Sequence, residues 1–111
     1  LAFSPEEVQN RYLARRPESE RANASARLER IRLNGFEDTP STMIHGVQNL
    51  CVPVFDTRGV AAAITSGFIK QINAPATAQE TLAAIRITAL ELSRTLGFRL
   101  ETSPFEAALS Q

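Results

Sequence analysis

At 111 residues the chain has the length of one domain. Its 12 basic and 12 acidic side chains cancel, which argues against a strongly basic nucleic-acid-binding face in this segment. A single cysteine excludes an internal disulfide, and no apolar run approaches the ~20 residues that span a bilayer.

The chain opens on Leu1 rather than Met, inside the apolar Leu1-Ala2-Phe3, and reads as a piece of a longer polypeptide. No signal-peptide pattern is seen, so the expected setting is cytoplasmic and soluble, with no membrane partner. Ser4-Pro5-Glu6-Glu7 predicts a helix start with Ser4 as cap and Glu7 closing a capping box. Phe3 and Val8 have the spacing of a hydrophobic staple, and Val8, Tyr12 and Leu13 share one face. This helix should end before Pro17.

Glu18 and Glu20 suit the first turn of a second helix, in which Ala24, Leu28 and Ile31 form a narrow apolar stripe. Arg21, Arg27, Arg30 and Arg32 decorate its other faces, either as a solvated surface with local ion pairs or as an anion contact. Asn34-Gly35 supplies the stop, with Gly35 in the left-handed position. Phe36-Glu37-Asp38 has the makings of a short strand, and Thr39-Pro40-Ser41-Thr42 reads as a turn.

Two apolar, β-branched runs then flank Asp56-Thr57-Arg58-Gly59, which predicts a β-hairpin. Alternation puts Leu50, Val52 and Val54 on one apolar face, and Asn49, Cys51, Pro53 and Phe55 on a mixed one. Pro53 lacks an N–H and marks an edge or an irregularity. Ala63, Thr65 and Gly67 leave space above the second strand, either for close helix packing or for a small ligand. A third helix starts at the capping box Thr77-x-x-Glu80, continues through Leu82, Ile85, Ala89, Leu92 and Leu96, and closes at Gly97. The tail, with Pro104 and the Phe105–Leu109 patch, is open between a docked short helix and a loose end.

The run Arg27–Glu37, then Gly46-Val47, Pro53-Val54-Phe55-Asp56-x-x-Gly59, Ala62-Ala63-Ile64-Thr65 and Ala89-x-x-Leu92-Ser93-x-x-Leu96-Gly97 resembles the C-terminal effector-binding domain of IclR-type transcriptional regulators. The order and spacing of these pieces, up to Gly97, carry the resemblance. It implies an α/β (α+β), GAF-like fold, with a central, mainly antiparallel sheet, helices on its faces, and N-terminal strands lying upstream of Leu1. Residues 1–98 would form the C-terminal part of that domain and 99–111 a tail. The implied function is sensing of a small metabolite, such as an organic or aromatic acid, in a homodimer or homotetramer. DNA would be read by a winged helix-turn-helix outside this segment.

The resemblance carries ligand contacts onto Ser41 (or Thr42), Asn49, Cys51, Pro53, Thr65 and Gly67. Thr65 keeps a hydroxyl of the family's second-strand pair and Gly67 has lost it. The acidic loop residue common in the family is replaced by Ser41 or Thr42. No metal site, cofactor or catalytic residue is expected. Two other functions stay on the table: an oligomerisation module with no retained ligand, carried by the Leu82–Leu96 stripe and the Phe105–Leu109 patch, and an enzyme with Cys51 as nucleophile and His45 as base.

Overall fold

The computed structural model describes residues 1–41, 43–69 and 76–110. In chain order the elements are α1 (Glu6–Arg15), α2 (Glu18–Asn34), β1 (Glu37–Pro40), β2 (Val47–Phe55), β3 (Val60–Ile69), α3 (Ala78–Thr95) and α4 (Glu106–Leu109), with one 3₁₀ turn at Leu100–Thr102. They fall into two compact units, Leu1–Gly35 with Leu100–Gln111, and Phe36–Arg99.

In the first unit, α1 begins after Pro5 without a side-chain cap. The expected Ser4 cap is not formed. The Ser4 N–H instead turns back to the Leu1 carbonyl at 2.9 Å, and Gln9 Nε2 donates to the Ser4 carbonyl at 2.8 Å. The two residues of the expected staple differ in burial. Val8 is 41% exposed, and the buried Phe3 ring meets Phe105 edge-on at 5.0 Å. Arg21 donates to the carbonyls of Ala14 and Arg16 at 3.2 and 3.1 Å, satisfying acceptors at the end of α1. That is a local structural role for one of the α2 arginines.

α2 ends as its sequence predicts. Gly35 has φ +83° and its N–H bonds to the Ile31 carbonyl at 2.8 Å. A Cβ at Gly35 would stand 2.6 Å from the Ala108 carbonyl oxygen, so the residue serves both the backbone turn and the approach of α4. The tail is thus a 3₁₀ turn and a short helix, with Leu100 and Ala108 buried.

The second unit is a three-stranded antiparallel sheet in the order β1-β2-β3, with α3 on one face. Asp56 makes the hairpin. Its Oδ1 accepts from the N–H groups of Arg58 at 2.7 Å and Gly59 at 3.2 Å, while its own N–H donates to the Gly59 carbonyl at 2.8 Å. β1 is longer than its composition suggests: Thr39 and Pro40, which read as a turn, pair with Asn49 and Gln48. β1 covers Gln48–Cys51 only, so Pro53 lies where β2 has no described neighbour on that side.

Leu50, Val52 and Val54 are buried against Leu82 and Ala89 of α3, with Phe36, Ile64, Phe68 and Ile85 packed around them. The pairing is irregular at the next residue. The ladder shifts between Val54 and Phe55, because Val60 rather than Ala61 pairs with Phe55. Such a bulge twists the strand locally. Phe55, which alternation puts on the mixed face, is buried and stacked on Phe98 at 4.8 Å.

α3 starts at the predicted cap: Thr77 Oγ1 accepts from the Glu80 N–H at 3.1 Å. It ends in a Schellman pattern, with the Phe98 N–H on the Ser93 carbonyl and the Gly97 N–H on the Arg94 carbonyl, both at 3.0 Å. Its inner face departs from the apolar stripe in the last two turns. Leu92 and Leu96 are 43% and 45% exposed, and Ser93 takes the inner position at 1%. Arg86 stands over the Phe36 ring at 5.0 Å, and its burial pushes the guanidinium pKa down from the ordinary value.

Candidate functional site

The sheet positions two cross-strand rows of side chains on the face opposite α3. Glu37 pairs with Cys51 and Cys51 with Thr65, while Thr39 pairs with Asn49 and Asn49 with Gly67. Directly paired residues of antiparallel strands project to the same side. Pro53 and Ala63 form a third pair on that side. Ala63, Thr65 and Gly67 are exposed, while Glu37, Thr39, Asn49, Cys51 and Pro53 are partly buried. This is the open face of the unit.

Side-chain hydrogen bonds order it. Thr65 Oγ1 donates to Cys51 Sγ at 3.3 Å, and Thr39 Oγ1 donates to Glu37 Oε1 at 3.2 Å. The surface is a small polar patch floored by backbone, by the Ala63 methyl group and by Gly67, which has no side chain. A Cβ at Gly67 would meet Val47 Cγ1 at 3.6 Å, an ordinary van der Waals contact, so the position has room for a small side chain.

The sheet thus brings together five of the positions expected from the sequence: Asn49, Cys51, Pro53, Thr65 and Gly67. Ser41 is engaged elsewhere. Its Oγ accepts from the N–H groups of Met43 and Ile44 at 3.2 and 3.1 Å and shapes the β1–β2 turn. Thr42, the alternative to it, lies outside the described residues. Glu37 and Thr39 were not among the positions expected to face a ligand. Their local sequence reads as a strand end and a turn, and only pairing with β2 brings them beside Cys51 and Asn49.

The Cys51–His45 pair does not assemble. His45 is exposed in the turn before β2, and the strand from Val47 to Cys51 alone covers ~13 Å at ~3.3 Å per residue. Among the described residues no group of His, Cys, Asp and Glu could hold a metal ion, and no helix is long and apolar enough to cross a membrane.

No family model matches the sequence, and no curated protein matches it either. Solved structures do. A protein from Silicibacter sp. TM1040, described as an IclR transcriptional regulator, superposes with a TM-score of 0.75 over 94% of this chain, at 21% identity. The chain shares its fold with part of that regulator. HmgR of Pseudomonas aeruginosa superposes with a TM-score of 0.56 over 87% of this chain, at 28% identity. The chain spans less than half of each, 43% of the first and 41% of the second. The antiparallel sheet, the hairpin and α3 agree with the α+β, GAF-like architecture that the IclR resemblance implies.

Proposed function

We propose that this chain is the ligand-sensing part of a cytoplasmic transcriptional regulator. A small metabolite rests on the open face of the sheet and modulates DNA binding by a winged helix-turn-helix outside these 111 residues. The observation that carries this reading is the alignment of Glu37, Cys51 and Thr65 beside Thr39, Asn49 and Gly67 on the face away from α3. One face carries the core cluster around Leu50, Val52 and Val54, and the other combines exposure, small side chains and clustered hydrogen-bonding groups.

Thermal-shift and calorimetric screening against small metabolites, with carboxylates and aromatic acids included, tests it. A ligand at a hundredfold excess over its Kd adds ~2.7 kcal/mol to stability. Thr65→Val should weaken the response. Silence across the panel overturns the reading.

A second reading, assembly, is favoured by the exposure of Leu92 and Leu96 on α3. Light scattering showing a monomer at high concentration would overturn it; sensing and assembly are compatible.

A further inference from the structure

We infer that α2 is a self-pairing surface, against which a second copy of this chain lays its own α2 antiparallel, across a two-fold axis at Ser25.

The first observation is the charge order of the helix. Read outward from Ser25 in both directions, α2 is the electrostatic complement of its own reverse. An antiparallel second copy centred there sets residues equally far from Ser25 level with one another. Glu18 then meets Arg32 of the second copy, Glu20 meets Arg30 and Arg21 meets Glu29, and symmetry repeats each contact. Arg27, the remaining charged residue of α2, falls level with the neutral Asn23. No like charges oppose one another, which is what selects this register over others.

The second is the face that carries them. Glu18, Ala22, Ser25, Glu29 and Arg32 recur at steps of four and three, the spacing of a stripe turned toward a partner helix. All five are exposed, as is Ala26 beside them. The buried Leu28 and the partly buried Ala24 and Ile31 take the other side of the helix. Ala22, Ser25 and Ala26 are small and lie at the middle of the stripe, where side-chain size sets how closely two helix axes approach.

The third is the local pairing. Among the described residues, Glu18, Glu29, Arg30 and Arg32 form no ion pair. Glu20 lies 3.9 Å from Arg16, and Arg21 is held by the carbonyls of Ala14 and Arg16. The contact of Glu18 with Arg32 therefore carries most of the specificity. The complement of this surface is the surface itself, so the occupant is a second copy.

Light scattering over a concentration series tests the pairing. The expected result is a dimer in low salt, with a Kd raised at least tenfold at about 1 M salt, where the Debye length is ~3 Å. Glu18→Lys with Glu20→Lys, and separately Arg30→Glu with Arg32→Glu, should each give a monomer. Native mass spectrometry of their equimolar mixture should show a dimer with one copy of each. Ser25→Lys opposes two cations at the axis, leaves the helix ends intact and should also be monomeric. Melting curves check that each variant folds. A parent protein that stays monomeric at high concentration in low salt overturns the inference, as does failure of the two folded charge-reversed variants to pair. A dimer that survives Ser25→Lys but is broken by Leu92→Glu belongs to α3; that too overturns the inference, and it leaves the assembly reading standing. The ligand-sensing reading is independent of every one of these outcomes.

Discussion

The hydroxyl of Ser93 accepts the Phe55 backbone N–H at 2.9 Å and donates to the Ala89 carbonyl at 2.7 Å. The bulge between Val54 and Phe55 sits at this point, and a side chain of α3 supplies the acceptor for a buried strand amide. A serine inside an otherwise apolar interface is thus the joint between helix and sheet.

Ser93→Ala removes that acceptor without changing the backbone. An unsatisfied buried donor costs ~1–3 kcal/mol, so the urea midpoint should fall by a corresponding amount while the m-value stays constant.

Gly35→Ala and Gly46→Ala form a matched pair, since both glycines have φ +83°. The left-handed backbone costs an L-residue ~1–2 kcal/mol in each. At Gly46 nothing lies within 4 Å of the new Cβ, whereas at Gly35 the Ala108 carbonyl is 2.6 Å away. Gly35→Ala should therefore destabilise by clearly more than Gly46→Ala in thermal melts, the excess reporting the approach of α4.

Leu50→Ala empties a fully buried position between sheet and α3 and should cost ~2–5 kcal/mol. Thr65→Val, on the open face, should stay within ~0.5 kcal/mol of the parent protein. Chemical denaturation of the two variants separates the core face from the open one.

Gly67→Ser introduces the hydroxyl that the IclR resemblance implies at this position. The added Cβ fits at 3.6 Å from Val47 Cγ1, and glycine inside a strand costs ~0.5–1 kcal/mol relative to a residue with a side chain. The variant should fold with equal or slightly higher stability in the same denaturation assay.

Cys51 offers a footprint. Its sulfur lies in the row between Glu37 and Thr65, so a ligand on the open face should slow alkylation by N-ethylmaleimide, followed by mass spectrometry. A ligand that raises the melting temperature but leaves the labelling rate unchanged binds elsewhere.

What the sequence revealed follows the range of the interactions. The hairpin rests on Asp56 and Gly59, three residues apart, and the core face of β2 on simple alternation, so both were legible. The cap of α3 was legible for the same reason. Ser93 was not, because its burial depends on an amide 38 residues away and on a bulge that no local pattern announces. Apolar periodicity pointed to Leu92 and Leu96 instead. Glu37 was half legible, in a segment that hinted at a strand, and Thr39 read as a turn; the face they share with Asn49, Cys51 and Thr65 is defined by pairing with β2. Ser4 had the chemistry of a cap, yet the turn through Leu1 and Gln9 took its backbone elsewhere.

β3 is an outer strand of the sheet, ten residues long, and from Val60 to Ile69 it has neither a charged residue nor a proline. Natural sheets guard such borders with lysines, prolines or short strands, because an unguarded one recruits further strands. Handled alone, the polypeptide should therefore grow turbid with concentration and bind thioflavin T as it does so. A single lysine placed at the exposed Ala61 would act as a gatekeeper, extending the concentration range open to every measurement described above.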